Sequence, residues 1–112
     1  MTTRDELLAI AQEPNVAAFL HVIRFCEGTI GDRGFQTIYG YQYFDSFADH
    51  PRKKVTAGAY TSSAAGAFQF MPQTWDEMRA KYALPDFSPA SQIAGAVGLL
   101  IRRGALDAIR AV

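Results

Sequence analysis

Glu27 stands at the end of an apolar stretch, FLHVIRFCEGTIG over residues 19–31, and glycine follows it at once. If that stretch is a helix, its C-terminal end presents partial negative charge to the carboxyl group, and apolar neighbours strip the group of water. Both effects favour the protonated form. A glutamic acid that keeps its proton near neutrality can deliver it to a leaving oxygen. A solvated glutamate at a frayed helix end is the plain alternative, and placement alone leaves the two open. Asp45 and Asp49 are the candidates for a second carboxylate, because a sugar-cleaving hydrolase ordinarily pairs two of them, about 5–9.5 Å apart. Asp49 also reads as a turn cap ahead of His50-Pro51.

The second informative stretch is TSSAAGAFQFMPQTW, residues 61–75. Its small residues, from Ser62 and Ser63 to Gly66, let backbone approach a ligand closely. Phe68 and Phe70 flank Gln69, a side chain that both donates and accepts hydrogen bonds. Such a surface suits sugars: rings take their apolar faces and amides take their hydroxyl and N-acetyl groups. The competing reading packs both phenylalanines into a core. His21 and His50 lack metal-ligand spacing, so no metal site is expected. Cys26 has no evident His/Asn partner, and it reads as a small buried residue rather than a nucleophile. The run HPRKK, residues 50–54, reads as a solvated loop.

The elements that must position these groups follow from local signals. Thr3 and Glu6 have capping-box spacing, and a short helix with Leu7, Leu8 and Ile10 should stop before Pro14. Asn15 is the expected N-cap of a second helix. Its stripe of Val16, Phe19, Leu20, Ile23 and Cys26 should be buried, with Gly28 as the C-terminal stop. Residues 29–47, rich in glycine, aromatics and β-branched residues, read as an irregular hairpin region. Residues 48–66 read as a long loop. Pro72 suits the first turn of a third helix, with Trp75, Met78, Arg79 and Tyr82 on one stripe. Ser88-Pro89 opens a fourth, with Ile93, Ala96, Val97, Leu100 and Ile101 on its stripe and Gly104 at its end. A further helical turn begins at residue 105. The expected architecture is one α+β domain over residues 1–112, mainly helical with a small β-hairpin region.

Composition bounds the function. The chain has 112 residues, 49% hydrophobic and 20% charged, which fits one folded domain. Its formal net charge is zero, so a nucleic-acid partner is not expected. One cysteine excludes an internal disulfide framework. The start, MTTRDELLAIAQEPN, has no signal-peptide pattern, and no apolar run approaches the ~20 residues of a membrane span, so membrane insertion is not expected.

Several motifs occur together in one order: EGT after an apolar helix, then ADHPRK, SSAAGAFQFMPQTW, LPDFSPASQ and IRRGAL. In this the chain resembles the phage lambda-type endolysins, lytic transglycosylases with a lysozyme-like fold, over residues 19–106. The run GAFQFMPQTW also resembles the G-x-x-Q-x-x-P-x-T segment of broader transglycosylase families. The resemblance implies that Glu27 is the single catalytic acid and base and that peptidoglycan glycan strands are the partner. It places Ser62, Ser63, Gly66, Phe68 and Gln69 along the sugar cleft. Tyr39 and Tyr60 would wall that cleft, and Asp49 belongs to the matched Asp-His-Pro-Arg run.

The chemistry it implies is cleavage between N-acetylmuramic acid and N-acetylglucosamine with a 1,6-anhydro product. Neither a cofactor nor a second carboxylate is needed. A hydrolytic muramidase is the enzymatic alternative. The resemblance also implies synthesis in the host cytoplasm without a signal peptide, and action on the cell wall in the periplasm after release. Members of that family continue well past the RGAL segment, whereas this chain stops at Val112. Relative to them it is truncated at its C-terminus. Leu100, Ile101 or Leu106 should then be exposed, unless self-association or a complementing chain covers them. A non-catalytic glycan-binding or assembly module is the alternative from outside the enzymes.

Overall fold

Capping chemistry sets most helix boundaries. A computed structural model describes residues 2–112. Helix α1 runs Arg4–Ala11, and both bonds of its capping box form: the Glu6 amide donates to Thr3 Oγ1, and the Thr3 amide to Glu6 Oε1. Helix α2 runs Pro14–Glu27 and begins two residues earlier than Asn15 predicts, with Glu13 as N-cap and Pro14 as first residue. Proline needs no amide partner there and already has the helical φ. The Asn15 amide goes elsewhere, donating to the carbonyls of Arg110 and Val112 at 3.1 and 3.0 Å. Glu13 pairs with Arg110 at 2.7 Å, and that hydrogen bond holds its exposed carboxyl below the ordinary range.

Only part of the predicted α2 stripe is buried. Val16 and Leu20 lie in the core, Ile23 is half-buried, and Phe19 and Cys26 are exposed. The N-terminal half of α2 is covered by α1 and by α5, Leu106–Arg110. Its far end projects toward the β region instead, and Gly28 stops it in the left-handed conformation at φ 72°.

Two antiparallel hairpins follow. Strand β1, Thr37–Ile38, pairs with β2, Gln42–Tyr43. Strand β3, Val55–Ala57, pairs with β4, Tyr60–Ser62. The second hairpin corrects the expectation of one long loop over residues 48–66. Its short strands alternate weakly, and pairing is completed across the turn, where the Thr56 and Thr61 hydroxyls meet at 2.7 Å. Ala65 joins this region to the rest by bridging to Ile38 and to Phe70.

Helix α3, Pro72–Tyr82, starts at the predicted proline and buries Trp75, Met78 and Tyr82. Helix α4, Pro89–Arg102, is capped by Ser88 and runs through the centre of the molecule. Its small residues let α3 approach: a β-carbon on Gly95 would stand 2.8 Å from the Trp75 ring. Trp75 in turn meets Phe87 edge-on, with ring centroids 4.6 Å apart. Leu100, expected to be exposed, is buried in the core, and Ile101 and Leu106 are half-buried and packed against it. Apolar exposure lies instead on the outer side of α2, at Val22 (54%) and Phe25 (72%).

Candidate functional site

Glu27 is half-buried at the last position of α2 and is held there from both sides. Gly28 turns the chain, and Thr29, which follows, is fully buried. The Thr29 hydroxyl donates to the Ala67 carbonyl, locking the helix end onto the 66–70 segment. Arg24 secures the same turn, donating from Nε to the Thr29 carbonyl at 3.1 Å while its guanidinium lies 4.5 Å over the Phe35 ring. The segment carrying Gln69 is fixed in turn by Gln92 of α4. That buried amide accepts from the Ala67 N–H at 2.9 Å and donates to the carbonyls of Phe35 and Phe87 at 3.0 and 2.8 Å. Glu27 and Gln69 therefore share one rigid support.

Two open cavities meet at these two residues. One, about 520 Å³, is lined by Glu27, Tyr39, Tyr41, Ser62 and Gln69, with Cys26 at its edge. The other, about 460 Å³, is more apolar and is lined by Phe19, Glu27, Phe68, Gln69, Met71 and Arg103. Gln69 adopts a positive φ of 52°. Its Nε2 donates to the carbonyls of Thr37 and Gly66, at 3.2 and 2.8 Å. Among the described residues nothing donates to its Oε1, which stays free to accept from a ligand N–H or hydroxyl.

Of the sequence-predicted residues, Glu27, Gln69, Tyr39 and Ser62 come together in the first cavity, and Phe68 lines the second. Phe68 also packs edge-on against Phe35 and Phe70. Ser63 lines neither cavity. Gly66 is buried beneath them, where a β-carbon would collide with the Gln92 amide. Tyr60 is 74% exposed on β4 and lines neither.

Asp49 lies in an ion-pair cluster away from both cavities, 3.1 Å from Arg52 and 2.9 Å from Arg79. Partial burial works against its charge. Hydrogen bonds from Arg52 and the His50 amide, with Arg79 alongside, outweigh this and hold the carboxyl below the usual carboxylate range. His50 is buried beside it. The Arg52 N–H donates to its Nδ1 at 2.9 Å, so Nε2 carries the proton and donates to the Phe70 carbonyl at 2.7 Å. Burial pushes this imidazole below its ordinary value. The Asp-His-Pro-Arg run is thus a structural brace. Among the described residues no group of three or more metal-binding side chains forms.

Three contributors were not singled out from the sequence. Thr29 and Gln92 act through long-range contacts that no local pattern announces. Tyr41 stands two places after Tyr39 in IYGYQY, and that alternation alone could have drawn attention to it.

A family model described as Endolysin matches residues 17–112. The chain belongs to the endolysin family. The endolysin of Escherichia phage lambda is 39% identical to it over 99 residues, covering 82% of this chain and 63% of that relative. The endolysin of Escherichia phage P2 is 36% identical over 113 residues, covering 87% of this chain and 68% of the relative. The chain therefore spans just under two thirds of the lambda endolysin's length. Two solved structures share the fold. The lysozyme from bacteriophage lambda matches at TM-score 0.80 and 36% identity, over 87% of this chain and 68% of its own. Bacteriophage lambda lysozyme complexed with a chitohexasaccharide matches at 0.79 and 38% identity, with the same coverage. The expected α+β, lysozyme-like architecture of the endolysins is what the helices and paired hairpins form.

Proposed function

We propose that this endolysin-family chain degrades peptidoglycan, cleaving the β-1,4 bond between N-acetylmuramic acid and N-acetylglucosamine by lytic transglycosylation. The observation that carries this reading is that Glu27 is the sole carboxyl group lining either cavity among the described residues. A solved relative bound to a chitohexasaccharide supports a β-linked amino-sugar chain as the ligand.

A single carboxyl suffices when the nucleophile belongs to the substrate. Glu27 as acid gives its proton to the glycosidic oxygen as the bond to the muramoyl C1 breaks, and the leaving sugar departs as an alcohol. The substrate's acetamido group supports the developing positive charge at C1. Glu27, now a carboxylate, takes the proton from the muramoyl C6 hydroxyl as that oxygen closes onto C1. The acid is regenerated, no water is consumed, and no cofactor enters. In this reading Gln69 Oε1 accepts from an acetamido N–H and so orients the sugar. The proposed place of action is the cell wall, reached after release from the cytoplasm.

A two-carboxylate hydrolysis would need a partner across the bond, and Asp45 and Asp49 line neither cavity. Mass spectrometry of fragments released from purified sacculi tests the reading. The expected products end in anhydromuramic acid; reducing ends, heavier by one water, would establish hydrolysis instead. Glu27→Gln should lower lysis by at least about 100-fold, and retained lysis would remove Glu27 from the mechanism.

A further inference from the structure

Tyr41 is a bulky residue in a backbone conformation that ordinarily belongs to glycine, with φ 62°. Such a conformation costs free energy, and it persists only where something holds it. Here the conformation closes the three-residue turn, residues 39–41, between β1 and β2, where Gly40 also has a positive φ of 80°. The side chain is 72% exposed and takes no part in the hydrophobic core. Among the described residues its hydroxyl makes no hydrogen bond. The same turn fixes the place of the side chain. The ring lies against the bare backbone of Gly28, so close that a β-carbon there would stand 2.8 Å from Tyr41 Cε1. Gly28 immediately follows Glu27, and Tyr41 and Glu27 line the same cavity of about 520 Å³.

We propose that Tyr41 is a stacking platform for a β-1,4-linked N-acetylhexosamine ring beside Glu27, and that its left-handed backbone lays the aromatic face there. The inference rests on the glycan reading of the site. The substituents of such a sugar are mostly equatorial, which leaves two faces of C–H bonds. An exposed aromatic face removes one of them from water. Tyr41 is then a substrate-binding residue that holds the sugar in register with the acid, while Glu27 performs the proton transfers.

Binding of the N-acetylglucosamine hexamer, followed by NMR titration in a Glu27→Gln background, separates this from catalysis. Tyr41→Gly removes the ring and suits the backbone, so it should fold with an equal or higher melting temperature. It should bind the hexamer about tenfold more weakly. Tyr41→Phe keeps the face and should stay within about twofold of its parent. Unchanged affinity in Tyr41→Gly overturns the platform, as does failure of the parent to bind the hexamer. A loss in Tyr41→Phe equal to that in Tyr41→Gly assigns recognition to the hydroxyl and also overturns it. The catalytic reading fails separately: lysis of sacculi retained by Glu27→Gln removes the acid but leaves a weakened Tyr41→Gly titration standing.

Discussion

His50 shows how a residue that invites a catalytic role serves stability. Its two ring nitrogens are occupied by the Phe70 carbonyl and the Arg52 amide, an arrangement that needs the neutral imidazole. Burial lowers its pKa from the ordinary 6.5. The unfolded chain therefore binds the proton first as pH falls. The stability contributed by neutral His50 is fully present above about pH 6.5 and is lost as pH falls through the depressed folded value. Melting temperature should decline as pH falls below about 6.5, and His50→Gln should lower it at neutrality while flattening that slope. Asp49 and Asp76, both held below their ordinary 3.8, give a second loss at more acid pH, which His50→Gln should leave in place. Gly28 is constrained twice, by its positive φ and by the Tyr41 ring. Gly28→Ala should cost about 1–3 kcal/mol in denaturant unfolding, and it should depress lysis further by displacing Tyr41.

At the scale of elements, the site depends on α4, although no catalytic group sits on that helix. Gln92 alone satisfies one N–H and two carbonyls of the segments that carry the cleft. Gln92→Leu should keep the volume yet leave those groups unpaired. The expected cost is on the order of 3 kcal/mol or more by urea unfolding, since each buried orphan costs about 1–3 kcal/mol. What could be read from the sequence here was local chemistry. Thr3 with Glu6, Pro72, Ser88 and Gly28 each bound an element because cap and turn preferences act over a few residues. Asn15 misled by two positions, because the adjacent proline competes for the same turn. The β3–β4 hairpin was missed because its three-residue strands, Val-Thr-Ala and Tyr-Thr-Ser, carry almost no periodic signal. The meeting of Glu27 with Gln69 depends on Thr29 reaching Ala67 across 38 positions, so it was available only through the resemblance of several motifs together.

Across the whole molecule, exposed apolar surface and vanishing net charge coincide. The formal charge is zero and the sequence pI about 6.7, while Phe25 and Val22 stand out from α2. Solubility should pass through a minimum near neutral pH, because little charge repulsion opposes contact between such faces. Light scattering should detect this, and Phe25→Lys should suppress it without loss of melting temperature, since the ring is largely solvated already. The α2 stripe marks a limit of periodicity: it identifies an apolar face but not the extent to which neighbouring elements cover it. The Asn15 amide has a consequence of a different kind. By gripping the carbonyls of Arg110 and Val112, it ties the segment after α5 to the first turn of α2, beside a groove lined by Phe19, Val22 and Val112. Asn15 is thus a clasp between α2 and the segment after α5, and Asn15→Ala should speed amide hydrogen exchange in α5.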